Sequence, residues 1–282
     1  MPRTVLVTGA AGGLGRALIP VLRSRGWRVR ALVHRRPVEI ADEQVQGDLA
    51  DATGLVRAAD GADAVLHLAA RTHARRAAGY FEANVEGTRR LLAAGVPRFV
   101  QVSTRAIGAG GGGYSDSKRE AERLVERSDG DWVIVRLPEV YGAGSAEGVD
   151  RIIDGARRGG TIPIVGAGDD EVCPVHVDDA TAALAAALDA PAGRTYTLAG
   201  ECMTTRAFAA TCVAAFGGGR IVRVPVAAVR VLGLAARIAP LPLYPDQLAR
   251  LRAARPAPSP EAAAELGFAP RPLEAGLRAL ER

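Results

Sequence analysis

Through the first half of the chain, short β-branched runs alternate with longer Ala/Leu/Arg-rich segments. The runs Thr4–Thr8, Arg28–Val33, Val45–Gly47, Ala64–Leu68, Phe99–Ser103 and Trp132–Leu137 are close to continuously apolar. That is the pattern of parallel strands covered on both faces, which cannot expose alternate positions to water. Between them, Leu14–Arg25, Ala52–Ala59, Ala77–Ala94 and Ser115–Arg127 read as helices. Strand, helix, strand, repeated, predicts an α/β fold with a doubly wound parallel sheet and right-handed crossovers.

After Pro138 the rhythm loosens. Gly142, Gly144, Gly159, Gly160, Pro163, Gly166 and Gly168 interrupt the pattern, and short strands at Thr161–Val165 and Thr195–Leu198 lie among helices. Arg255–Pro260 reads as a Pro-rich connector before a weakly amphipathic tail. The expected division is a sheet domain over 1–165, with later segments returning to it, and a smaller C-terminal lobe over 166–282.

Composition narrows the classes. Lys and Arg number 36 against 31 Asp and Glu, and the arginines are scattered rather than gathered in a tract. A solvated surface is expected from that pattern, and no nucleic-acid partner. Cys173, Cys202 and Cys212 are odd in number and lack metal-ligand spacing, so reduced thiols, a cytoplasmic setting and no metal site are expected. Met1–Ala10 reads as a strand entering a glycine turn, not as a secretory signal. The longest apolar stretch, Val224–Leu243, is broken by Arg230, Arg237 and several prolines, so no membrane partner is expected.

The chemistry begins at Thr8-Gly9-Ala10-Ala11-Gly12-Gly13-Leu14-Gly15, directly after the first strand and opening the first helix. Glycines there permit a tight turn and close approach of backbone to a pyrophosphate, and the helix N-terminus offers free N–H groups to the anion. A dinucleotide-binding, Rossmann-like domain follows from that placement. Tyr114 and Lys118 stand four apart at the start of a helix and so share a face. A nearby ammonium and a cationic nicotinamide ring would both favour the phenolate, making Tyr114 a general acid/base near neutrality. Ser103, ending the preceding strand, can donate to the substrate oxygen as charge develops there.

Gly9, Gly12 and Gly15 are each three apart, and this spacing resembles the extended branch of the short-chain dehydrogenase/reductase family, the NAD-dependent epimerase/dehydratase family. The resemblance continues at Gly47-Asp48-Leu49, His67-Leu68-Ala69-Ala70, Asn84-Val85-Glu86-Gly87-Thr88, Val102-Ser103 and Tyr114-Ser115-Asp116-Ser117-Lys118. It extends through Arg136-Leu137-Pro138 with Val140-Tyr141-Gly142 to His176-Val177-Asp178-Asp179. It implies an oxidoreductase with Ser103, Tyr114 and Lys118 as the catalytic set, Lys118 also binding the nicotinamide ribose. The implied cofactor contacts are Gly9, Ala11, Gly12, Gly13, Leu14 and Gly15 in the turn, Asp48 and Leu49 beside the adenine, and Leu68, Ala69 and Ala70 beneath the dinucleotide. Tyr114, Lys118, Pro138 and Val140 complete the set, with Asn84 holding a water or backbone group in the proton path. Relatives often dimerise through the helices holding Asn84 and Tyr114, so a homodimer is a further expectation.

Where a carboxylate after the second strand would select NAD, the chain has Val33-His34-Arg35-Arg36. Two guanidiniums suit a 2′-phosphate, so NADP is favoured over NAD, with His34 near the adenine edge. Gly108–Gly113 is a short tract before Tyr114, from which an open pocket wall and a mobile loop are expected. Ser103 is followed by Thr104-Arg105-Ala106, without the acid pair a sugar-nucleotide dehydratase needs. Val172 stands where sugar-nucleotide epimerases of this family carry a diphosphate-binding arginine, and His176 is expected to be structural. The reading reached is reduction of a ketone or aldehyde of a small molecule, or oxidation of the alcohol. A sugar-nucleotide epimerase with tightly bound NAD is the first alternative, and a non-catalytic NADP sensor the second.

Overall fold

The alternating runs of the first half pair as parallel strands in the computed structural model, which describes residues 2–144, 148–235 and 246–281. Among the described residues the central sheet has seven strands: β1 (Thr4–Thr8), β2 (Arg28–Val33), β3 (Glu43–Gln46), β4 (Ala64–His67), β5 (Arg98–Thr104), β6 (Asp131–Leu137) and β7 (Arg194–Thr197). Their spatial order is β3-β2-β1-β4-β5-β6-β7, all parallel. The order reverses beside β1, so a crevice opens at the carboxyl ends of β1 and β4, where doubly wound sheets bind ligands.

The helices are α1 (Gly13–Ser24), α2 (Ala52–Ala59), α3 (Ala77–Phe81), α4 (Gly87–Leu92), α5 (Gly112–Glu126), α6 (Gly148–Arg157), α7 (Val177–Ala186), α8 (Thr205–Phe216), α9 (Val226–Ala235), α10 (Gln247–Leu251), α11 (Glu261–Leu266) and α12 (Leu273–Ala279). A π turn over Glu82–Glu86 joins α3 to α4. Alternation in β1 sends Val5 and Val7 to one face with Leu18, Ile19 and Leu22 of α1 and Leu184 of α7. Leu6 goes to the other face with Leu55, Leu91 and Val125 of α2, α4 and α5. Each such leucine is fully buried, which stabilises the fold by about 1.5–3 kcal/mol per side chain.

A second apolar cluster holds Val149 and Ile153 of α6, Ile162 and Ile164 of the strand Thr161–Val165, Phe208 and Cys212 of α8, and Leu277 of α12. The strand Thr161–Val165 pairs with Arg220–Val224. The 165/166 boundary therefore cuts through this cluster, while β7, α7 and α11 from the later half pack on the central sheet.

One expectation is corrected. Cys173 and Cys202 are joined in a disulfide, leaving Cys212 as a free, buried thiol among the described residues. The antiparallel pairing Met203↔Val172 sets the two segments side by side, a meeting that a separation of 29 positions hides. Unpaired thiols thus no longer argue for a reducing compartment. No described helix is long and apolar enough to cross a membrane; residues 236–243 of the apolar stretch lie outside the described residues.

Candidate active site

The turn after β1 shows why glycines stand where they do. Gly9 has φ +71°, and a Cβ there would lie 2.7 Å from the Ala69 nitrogen. A Cβ on Gly15 would lie 2.5 Å from the Gly9 carbonyl oxygen, so α1 packs directly onto the turn. Gly12 differs: its Cβ would meet only the Gly9 oxygen, at 3.3 Å, and would otherwise fill the cleft. Gly12 also caps α1, with no side-chain cap and no acid in the first turn. The leading N–H groups are thereby left for an anion, in a field that favours one.

A cleft of about 460 Å³ opens from this turn, lined by Gly9, Ala11 and Gly12. His34, Arg35, Arg36, Asp48, Leu49, Ala69 and Ala70 also line it. Gly13 instead lies against the Ala143 carbonyl, and Leu14 packs on the main core. Leu68 supports Gly9 from below, and Val140 pairs with Val175; Leu68, Pro138 and Val140 do not line this cleft. The His34 Nε2 is 3.1 Å from an Asp48 oxygen. Arg35 and Arg36 are exposed, and neither pairs with a described carboxylate. Leu32, Arg71 and Glu82 line the cleft as well, from positions outside the motifs. Arg71 was within reach of the sequence, because it directly follows the His67–Ala70 motif.

Behind the cleft runs a buried hydrogen-bond chain. The Thr8 Oγ1 accepts from the Ala69 N–H at 3.1 Å and is 2.6 Å from the His67 Nδ1. The His67 Nε2 is 3.2 Å from the Thr88 Oγ1, which donates to the Asn84 carbonyl at 2.7 Å. The Asn84 side chain accepts from the Arg71 N–H at 2.7 Å and donates to the Arg71 carbonyl and, at 3.0 Å, to the Ser117 Oγ. Ser117 in turn donates to the Tyr114 carbonyl at 2.8 Å. Asn84 sits in the π turn, a local widening of the helix that often marks a functional position. Its amide is spent on the Arg71 backbone and Ser117, so it ties the segment after β4 to the helix of Tyr114.

The end of β5 gathers the three catalytic candidates. Ser103 is 5% exposed and its Oγ has no partner among the described residues, an unsatisfied donor that a substrate oxygen or cofactor would satisfy. Beside it, the Val102 carbonyl accepts from the Lys118 Nζ at 2.7 Å. Burial pushes the Lys118 ammonium down to about 8, with Glu122 acting in the opposite sense. Thr104 stands on the other side, and its side chain favours the Tyr114 phenolate. Burial raises the Tyr114 phenol above its ordinary value; Arg250 and the Thr104 side chain pull it back, and Asp246 pushes it up. The cation stacked on the phenol is therefore Arg250, its guanidinium carbon 4.9 Å from the ring centroid, and not Lys118.

Asp246 and Arg250 were not legible in the sequence. Asp246 accepts from the Tyr80 hydroxyl at 2.8 Å and from the Tyr114 N–H at 3.3 Å. Both residues lie more than a hundred positions beyond Tyr114, in or beside α10, and no local motif announces them. The same segment corrects the reading of Gly108–Gly113. A Cβ on Gly108 would lie 2.0 Å from the Ala254 carbonyl oxygen, and one on Gly112 would lie 2.8 Å from the Asp246 Cβ. The glycines admit the C-terminal segment at close range, so this wall is covered rather than open. Gly112 and Gly113 already belong to α5. His176 is buried, and its Nδ1 accepts from the Asp178 N–H at 3.2 Å to cap α7.

Comparison with known proteins identifies the family and the fold. The model of the NAD dependent epimerase/dehydratase family matches residues 5–199. A ceramide reductase of Caulobacter vibrioides is 37% identical over 192 residues, covering 64% of this chain and 60% of the relative's length. A 2-alkyl-3-oxoalkanoate reductase of Stenotrophomonas maltophilia is 31% identical over 254 residues, covering 77% of each chain. Among solved structures, the UDP-glucose 4-epimerase of Thermotoga maritima with UDP-glucose superposes with a TM-score of 0.82 at 21% identity, covering 99% of this chain and 97% of that one; this likeness shows the fold.

Proposed function

The chain belongs to the NAD dependent epimerase/dehydratase family, and within it we propose a reductase that moves a hydride from NADPH to a ketone or aldehyde of a small molecule. The observation that carries this reading is the end of β5. There a buried hydroxyl without a partner among the described residues, Ser103, stands between Val102, whose carbonyl holds Lys118, and Thr104, which favours the Tyr114 phenolate.

The residues fit a dinucleotide. Gly12 leaves its side of the cleft clear, α1 presents uncapped N–H groups, and Arg35 and Arg36 stand free for a 2′-phosphate. The nicotinamide, when bound, supplies the hydride. Ser103 donates to the carbonyl oxygen as negative charge builds on it. Tyr114 gives its phenolic proton to that oxygen, and Arg250 stabilises the phenolate left behind. Lys118 is fixed by Val102 on the same face of α5, where it can hold the ribose.

Two of the similar proteins bear reductase names, which supports the reductase over the epimerase. Val172 at the diphosphate position supports it too. Incubation of the purified chain with NADPH and a panel of ketones tests the reading by loss of absorbance at the nicotinamide band. Steady oxidation is expected. Tightly bound NAD with no net turnover would instead establish the epimerase, and cofactor binding with no oxidation by any carbonyl would establish the sensor.

A further inference from the structure

We propose that Arg250 is the anchor for a carboxylate on the substrate, so that the ketone reduced at Tyr114 belongs to an oxo acid. This rests on the reductase reading and adds the substrate class to it.

The first ground is the state of the guanidinium. Arg250 is partly buried, and its Nη1 donates to the Thr72 carbonyl at 3.2 Å. Its Nε and Nη2 bond no described residue, and no described carboxylate pairs with it. Most other arginines held in the body of the protein are matched: Arg30 with Glu43, Arg105 with Glu171, Arg136 with Glu122, Arg255 with Glu139 and Arg271 with Asp179, at 2.7–3.1 Å; Arg98, which pairs with no described carboxylate, instead spends its guanidinium on the Ala187 and Ala190 carbonyls. A partly desolvated cation that pairs with no described carboxylate is stabilised when a ligand supplies one.

The second ground is place. The guanidinium lies over the ring of the proton donor, so a group bound to it sits within a few atoms of the carbon that receives the hydride. Asp246 fixes this geometry by holding the Tyr80 hydroxyl and the Tyr114 N–H. Arginine with two adjacent N–H groups free is the side chain best shaped to take a carboxylate in parallel. A carboxylate near the ketone would thus be gripped from the lobe while Ser103 and Tyr114 hold the carbonyl oxygen.

The test compares reduction of 2-methyl-3-oxodecanoate with that of its methyl ester, using NADPH and the full chain. The wild type is expected to prefer the acid. Arg250→Gln should lower the acid-to-ester ratio of kcat/KM by about 10- to 100-fold, the range for a lost hydrogen bond to a charged group. Arg250→Lys, which keeps the charge but not the fork, should fall between. An unchanged ratio in Arg250→Gln, with both substrates slowed alike, would assign Arg250 to the phenol alone and overturn the anchor. Reduction of the ester by wild type with no preference for the acid would overturn it too. Reduction of neither compound nor any other ketone would remove the reductase reading itself.

Discussion

Thr88 fixes the tautomer of His67. The Thr88 hydroxyl has one proton and gives it to the Asn84 carbonyl, so across their 3.2 Å contact it can only accept, and the His67 Nε2 must carry the hydrogen. Nδ1 is then an acceptor, receiving the Thr8 hydroxyl proton. Burial, with a lesser contribution from the Lys118 charge, holds this imidazole neutral by pushing it down to about 3. Between the unfolded histidine's ordinary 6.5 and that value, the unfolded chain binds the extra proton. The stabilisation is therefore whole above about pH 6.5 and is lost as pH falls toward about 3. His67→Gln, which keeps a donor and an acceptor without a titration, should flatten the loss of urea-unfolding free energy across that window by about 1 kcal/mol per pH unit. Equal slopes would show that His67 does not report the acid limb.

Removing the phenolic proton should separate chemistry from binding. Tyr114→Phe is expected to lower turnover by at least ~10²-fold while the dissociation constant for NADPH stays within about twofold. Full activity in single-turnover measurements would place the proton donor elsewhere.

The paired exposed arginines at the end of β2 should read the 2′-phosphate. Arg35→Ala with Arg36→Ala is expected to raise KM for NADPH by about tenfold or more over any change for NADH. A parallel rise for both cofactors would show a general effect on the cleft.

The glycine tract offers a graded test of contact with the C-terminal segment. Gly110 has φ +80° and open space within 4 Å of where a Cβ would stand, whereas Gly112 has φ +78° and its Cβ would meet that of Asp246 at 2.8 Å. Gly110→Ala should cost about 1 kcal/mol from backbone strain, and Gly112→Ala more than that, with a loss of turnover that Gly110→Ala does not show. Thermal melts and kcat measured together would decide it. Identical behaviour of the two variants would mean that Asp246 does not press on α5.

The sheet was legible because its signal is local. β1, β2 and α2 begin and end where the apolar runs do, since a strand buried on both faces leaves no room for polar positions. The predicted helix Ala77–Ala94 was legible only as one helix. The π turn that turns Asn84 toward Arg71 and Ser117 depends on partners from other segments, which no spacing within the helix records. Ser103, Tyr114 and Lys118 could be read because a strand end and one helical turn carry all three. Asp246, Arg250 and the Cys173–Cys202 link could not, because each joins segments brought together by the second lobe.

The close fit of Gly108 and Gly112 beneath Ala254 and Asp246 makes the distal lobe one wall of the space around Tyr114. Were side chains introduced along that seam, the two halves would be wedged apart, and the phenol would lose its lid and its guanidinium in the same motion while the nucleotide cradle stayed intact. A scaffold shared by many chemistries can thus be respecialised from its far end, by changing what lies across the seam and leaving the hydride donor's berth alone.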